Sequence, residues 1–479
     1  MVVQKFENMK LFKVLLFISL SFPLFGQVQS IKVNIHGYTN DTLILGNYYG
    51  EKQVVKDTIF RNNKGTFEYT TKDTLQQGMY LLLLKPSNTY IQFLVSPDEK
   101  AISISADTSD LADLKFKNSP ENTMFYAFLN YLKDRRVLAD TAKAKIARAK
   151  ALKSEDKAAE EVLNKLDEDV KGYQKKLLAE HPNSLLAFLI KSNMEVDIPE
   201  FEGSGDSLQM KRYLYYKKHY FDNMDMQHPA LIRMPFAYPK VDTYISKLVP
   251  QIPDSIKLEL DRVLKLMEGN HDAYRYFLAD FLNKYAQMKV VGYDALYVHL
   301  VDNYYSKGKA SWVTDENIKK MEGEANDLRP ILIGKTIPNI KTYKEDGSPL
   351  NIHEVKSPYT VLIFWAPDCG HCKKIMPFVV EFEKKYRDKG VKVVSVCTKG
   401  GDKYGECWSG VKEKGMENFI NTGDQYQRFH GQIRTKTTPK IFILDENKKI
   451  LIKDIPGEEI DKIFDEVFKF EEEKRLKNN

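Results

Sequence analysis

The chain has 479 residues, more than a single hydrophobic core supports, so roughly two to four domains are expected. Its net charge of +6 comes from 72 basic against 66 acidic residues scattered along the chain, with no basic block or aromatic-basic alternation, which argues against nucleic acid as a partner. Four cysteines in this length exclude a disulfide-built scaffold, and a closely spaced pair is therefore read as reactive before structural.

At the N-terminus, Lys5, Lys10 and Lys13 lead into an apolar run over residues 14–25 that ends at Gly26-Gln27. This order of charged, apolar and small residues fits a secretory signal over residues 1–26, with cleavage expected near Gly26 and Met9 as an alternative start. The run is shorter than the roughly 18 apolar residues a membrane span needs, it contains Pro23, and no later stretch is long enough. No transmembrane segment is expected in the mature chain.

Residues 27–118 read as an antiparallel β domain. Ile31, Val33 and Ile35 alternate with Lys32, Asn34 and His36, and short runs follow at 42–49, 66–69, 79–84, 90–95 and 101–105. Asn62-Asn63-Lys64-Gly65, Lys85-Pro86-Ser87-Asn88 and Ser96-Pro97-Asp98-Glu99 supply turns between them. After Ser119-Pro120 the period becomes helical, and residues 119–327 are expected to be all-α. Phe125, Phe128, Leu129 and Leu132 mark one face, and Leu163, Leu166, Val170, Tyr173 and Leu177 step by threes and fours up to His181-Pro182. The dense tyrosines from Tyr213 to Tyr304 are read as helix-packing core with hydroxyls reaching its edge. In residues 328–479 strand-like and helix-like runs alternate, which argues a central sheet covered on both faces. A helix is expected over residues 411–419 and strands over 391–396, 440–444 and 450–455.

The chemistry concentrates at Phe364-Trp365-Ala366-Pro367-Asp368-Cys369-Gly370-His371-Cys372. An apolar run of strand length precedes the two cysteines, and Ile375, Phe378, Val379, Phe382 and Tyr386 follow at helical spacing, so the dithiol lies where a strand passes into a helix. The unpaired N–H groups of the first turn and the positive end of the helix dipole then favour a thiolate at Cys369, the candidate nucleophile, with Cys372 as the resolving thiol. Zinc would need two more ligands. Cys397 and Cys407 exist, but there is no second CxxC or His pair, and neither metal nor cofactor is expected. Cys397 and Cys407 are expected to be buried or idle thiols, with pairing to each other, or a relay of electrons through Cys407, as the sharper alternatives.

Phe364-Trp365-Ala366 before the CxxC, Pro377 five residues after Cys372, Thr438-Pro439 ahead of an apolar strand, and a hairpin around Glu345-Asp346-Gly347-Ser348 together resemble the TlpA/ResA-like thiol-disulfide oxidoreductases of the thioredoxin superfamily. The whole chain, with His228-Pro229-Ala230-Leu231-Ile232-Arg233 in its helical middle, is similar to the multidomain periplasmic members common in Bacteroides-like bacteria. The resemblance implies a thioredoxin fold, an exported and periplasmic location, a redox disulfide between Cys369 and Cys372, and protein thiols or disulfides as partners together with a redox partner. It also implies a cis bond before Pro439 and substrate contacts from Trp365, Thr438 and Pro439. Gly370 and His371 match the dipeptide of protein disulfide isomerases and, with Asp368, are read as tuning the redox pair. That dipeptide pulls toward the isomerase potential of about −180 mV, whereas the family context pulls toward a reductant. Two positions depart from the pattern: Ile363 stands where thioredoxin has a buried Asp, and Ile375 where ResA-like proteins have a Glu. The alternative from another class is a binding or assembly protein with a vestigial thioredoxin-like domain.

Overall fold

The computed structural model describes residues 30–71, 75–435 and 437–478; the signal segment expected over residues 1–26 lies outside them. The described residues divide into two units, one ending at Lys240 and the other beginning at Val241.

In the first unit, two four-stranded sheets share one core. One sheet runs Phe67–Thr70, Ser30–His36, Ala101–Asp107, Asp110–Lys117; the other runs Lys52–Phe60, Thr42–Tyr49, Gly78–Leu84, Thr89–Val95. Ile31, Val33 and Ile35 point into that core and Lys32, Asn34 and His36 away from it, the alternation that a half-buried strand requires. Pairing is antiparallel apart from one parallel ladder between Ser30–His36 and Ala101–Asp107. Lys52–Phe60, which no apolar run announced, is an edge strand whose residues are all exposed but Ile59.

Ser119 ends the sheets and caps the helix Pro120–Ala151 by accepting from the Asn122 N–H, with Pro120 in the first turn, where its missing N–H costs nothing. The helix Lys157–Glu180, capped by Asp156, returns as the second arm of a hairpin. Beneath the first cap, the Glu99 carboxylate accepts from the Ser119 hydroxyl at 2.7 Å and from the Glu121 N–H at 3.0 Å. Burial nevertheless dominates and pushes this acid up to about 7. An acid that stays protonated longer when folded contributes stability below its unfolded pKa and loses it as the pH rises through the folded one. Urea unfolding of the full chain is therefore expected to weaken by up to about 3 kcal/mol between about pH 4.5 and 7, and Glu99→Gln should flatten that slope. A slope unchanged in Glu99→Gln would assign it to another group.

The second unit opens with helices that include Pro253–Leu266, His271–Gln287, Asp294–Leu300 and Asp315–Leu328. Its tyrosines do pack the core: Tyr244, Tyr297 and Tyr304 are buried, with hydroxyls donating to Glu259, Glu324 and Asp261. Next comes a seven-stranded mixed sheet in the order Pro349–Asn351, Lys341–Tyr343, Ile420–Gly423, Val391–Cys397, Tyr359–Trp365, Lys440–Leu444, Ile450–Lys453. Tyr359–Trp365 lies at its centre, parallel to Val391–Cys397 and antiparallel to Lys440–Leu444. A strand buried on both faces must be apolar throughout, and every residue of this one is buried. Val361, Ile363 and Trp365 face a core built with the helices Gly370–Tyr386 and Ile460–Asn478. Leu362 and Phe364 face the other core, which loops and short turns close with Ile331, Ile337, Val355 and Phe429. Both faces are covered, but only one of them by long helices. The pair Lys453 and Asp294 fastens the edge strand Ile450–Lys453 to the helix Asp294–Leu300.

One expectation is corrected here. The helix expected over residues 411–419 instead runs Glu406–Glu413 and ends before Gly415, whose φ of 64° is left-handed, and residues 420–423 form a strand.

Candidate functional site

At the end of the central strand the chain crosses Ala366, Pro367 and Asp368 and enters the helix Gly370–Tyr386 with Cys369 as its N-cap. The Cys369 sulfur accepts from the Cys372 N–H at 3.2 Å, so one of the helix's unpaired donors points at it. Burial alone would push the Cys369 thiol up. Its hydrogen bonds with the side chains of Cys372 and Thr438 and with the backbone N–H groups of Cys372 and His371 outweigh that, and it ends below an ordinary thiol. Cys372, one turn on, is fully buried; loss of solvent first, and the neighbouring Cys369 second, push it up to about 12. Both are free thiols. The pair is thus asymmetric, with one partly exposed sulfur that ionises readily and one sealed sulfur that holds its proton.

Thr438 and Pro439 come to the same place from another loop. Their bond is cis, and the Thr438 carbonyl lies 3.3 Å from the Cys369 sulfur. Asp368 and His371 are exposed beside the dithiol, and Gly370 opens the helix with nothing within 4 Å of where a Cβ would stand, so space does not demand a glycine there. Asp368 is not a bare charge next to Cys369. Lys399 reaches its carboxylate at 2.5 Å and holds that carboxyl below the usual range.

Trp365, expected among the substrate contacts, is instead 0% exposed. As the last strand residue on the helix-covered face, it packs under the helix Glu406–Glu413, where Gly410 leaves room: a Cβ there would sit 3.0 Å from the indole. The Trp365 indole N–H has no hydrogen-bond partner among the described residues. It supports the dithiol loop from below and offers no surface to another chain.

Cys397 and Cys407, expected as idle thiols, form a disulfide with a Cα–Cα separation of 5.9 Å. Cys397 ends its strand level with Trp365 in the parallel ladder, and Cys407 lies in the first turn of the helix packed over that strand end. A helix over residues 411–419 would leave Cys407 in a loop, where nothing brings it to Cys397. Ile363 and Ile375, at the two expected carboxylate positions, are both buried in one apolar core with Cys372, and Gly457 presses on Ile375 so closely that a Cβ would fall 2.6 Å from the isoleucine Cβ. Among the described residues no three His, Cys, Asp or Glu side chains group as a metal site would require. Lys399, which follows the strand Val391–Cys397, and Lys414, which caps the helix Glu406–Glu413, reach the dithiol loop without belonging to any sequence motif.

A central strand feeding a dithiol into a helix N-terminus, opposite a cis-proline, defines a thiol-disulfide oxidoreductase of the thioredoxin superfamily. The Redoxin family model matches residues 332–467, and two domains of unknown function, DUF4369 and DUF5106, match residues 29–125 and 151–326. The thiol-disulfide oxidoreductase ResA of Bacillus thuringiensis (strain Al Hakam) is 25% identical over 146 residues, 29% of this chain and 78% of the relative. Among solved structures, a domain of a possible thiol-disulfide isomerase from Cytophaga hutchinsonii is 30% identical, covering 31% of this chain and 99% of that one, with a TM-score of 0.28. A thioredoxin-like protein from Bacteroides caccae is 14% identical, covering 56% and 96%, with a TM-score of 0.43. The chain belongs to the TlpA/ResA-like proteins of the thioredoxin superfamily. Among its described residues no helix is long and apolar enough to cross a membrane.

Proposed function

We propose that this chain is an exported enzyme that exchanges disulfides with protein substrates through Cys369 and Cys372. The observation that carries the reading is the asymmetry of the pair, a partly exposed Cys369 held below an ordinary thiol beside a sealed Cys372 at about 12. The Cys369 thiolate attacks one sulfur of a substrate disulfide, and the other sulfur leaves as a thiolate. Cys372 then gives up its proton and attacks Cys369, releasing the second substrate sulfur and closing the Cys369–Cys372 bond. Two electrons and the Cys372 proton have passed to the substrate, and the second product thiolate takes its proton from solvent. The steps run equally in reverse.

Ile363 and Ile375 supply no base for Cys372, so its proton has to leave to water or to the departing substrate thiolate. The second step is therefore expected to be slow and to quicken with pH. The partly exposed cis-proline turn, with the Thr438 carbonyl beside the Cys369 sulfur, is the place for a substrate backbone. Export rests on the charged and apolar pattern of residues 1–26, and a buried Cys397–Cys407 disulfide suits an oxidising compartment.

Equilibration with glutathione buffers tests the reading and the stabilised thiolate together. A stabilised thiolate favours the reduced form, so a single two-electron transition is expected at a potential above the roughly −270 mV of thioredoxin. A pair that never equilibrates would contradict the function, and a potential below that value would contradict the stabilised Cys369 thiolate.

A further inference from the structure

The turn between the central strand and Cys369 is held by two lysines that no motif announces. The side chain of Lys414 is only 5% exposed; its ammonium donates to the Pro367 carbonyl at 3.1 Å and stands 5.7 Å from the centre of the Trp365 ring. Lys399 pairs with the Asp368 carboxylate from the other side. Residues 367 and 368, immediately before the nucleophilic sulfur, are thus gripped once by the backbone and once by the side chain.

The elements that carry the lysines are themselves tied. Thr398, next to Lys399, donates its N–H to the Trp365 carbonyl at 2.8 Å, and its own carbonyl accepts from the Gln427 amide at 2.6 Å. Gly400 is packed so tightly that a Cβ would fall 2.6 Å from the Gln425 carbonyl oxygen. The Cys397–Cys407 bond joins the strand that leads to Lys399 to the helix that ends at Lys414. With Cys397 and Cys407 at 1% and 0% exposure, this bond is out of reach of an attacking thiolate and persists while Cys369 and Cys372 cycle.

We propose that Lys399 and Lys414 are positioning residues that clamp the Pro367-Asp368 turn and neutralise Asp368, keeping the Cys369 thiolate favoured, with the Cys397–Cys407 disulfide as the brace of the clamp. The inference rests on the exchange function assigned to Cys369. It answers a question the sequence raises, since a carboxylate directly before a nucleophilic thiolate should oppose its charge. The charged and titratable groups around the turn are Asp368 itself, Lys399, Lys403, which also acts on Asp368, Lys414 with Glu413 4.0 Å from its ammonium, and the exposed His371.

The test is a thiolate titration of Cys369 in the full reduced chain, read by ultraviolet absorbance and by alkylation rate. Lys399→Met leaves Asp368 unpaired and should move the midpoint upward by about half a pH unit, roughly threefold less thiolate below the midpoint. Adding Asp368→Asn should return it, and Lys399→Arg should hardly move it. A role confined to stability would lower the melting temperature without moving the titration. An unmoved midpoint in Lys399→Met, or a shift that Asp368→Asn does not reverse, overturns the proposal. The double variant Cys397→Ser, Cys407→Ser should shift the midpoint the same way; should it fail to fold, the Lys399→Met comparison decides. Failure of the exchange function itself would appear separately, as an unmodified chain that does not equilibrate with glutathione.

Discussion

Replacing Cys369 by serine is expected to lower the reduction of insulin disulfides by the reduced chain at least about a thousandfold. A hydroxyl in the same place is neither ionised nor nucleophilic at neutral pH, and no other thiol can stand in. Cys372 is sealed and holds its proton to about 12, and Cys397 and Cys407 are bound to each other. The fold should be unaffected, because the Cys369 side chain is partly exposed at a helix cap and serine is itself a preferred cap. Residual activity within tenfold of the unmodified chain would show that the exchange runs elsewhere.

The second large effect concerns selectivity between the two thiols. Cys369 lies below an ordinary thiol and Cys372 near 12, so at neutral pH far more of Cys369 than of Cys372 is thiolate. Weaker bases are poorer nucleophiles, which cancels part of that advantage but leaves Cys369 the faster thiol. Burial of Cys372 multiplies it further. Iodoacetamide added to the freshly reduced chain at neutral pH should therefore label Cys369 almost alone, as read by mass spectrometry of the peptides. Equal labelling of the two would contradict the asymmetry on which the proposed mechanism stands.

What could be read from the residues was whatever a strong period or a fixed spacing encodes. The run from Tyr359 to Trp365 is apolar at every position because both faces of the central strand are covered, and the helical spacing after Cys372 follows from one buried face. Those two patterns alone put the dithiol at a strand–helix junction. Edges and short elements were harder. Lys52–Phe60 carries almost no apolar signal because only Ile59 is buried, and Ile420–Gly423 is too short to show a period. The Gly-rich stretch before Glu406 hid a helix start, and with it the approach of Cys407 to Cys397. The family resemblance implies a substrate contact for Trp365, but strand alternation turns it into the core with Val361 and Ile363. Lys399 and Lys414 act on residues 31 and 47 positions away, and no local pattern reports such pairings.

The most direct test of the central claim is a covalent one. The Cys372→Ser chain can make the first bond to a substrate sulfur but cannot resolve it, so in cells it should accumulate as mixed disulfides with other proteins, linked through Cys369 and released by a reducing agent. The same chain with Cys369→Ser added should carry none. If Cys372→Ser accumulates no thiol-linked adduct, or if the adducts persist without Cys369, the account of Cys369 as the attacking sulfur is wrong.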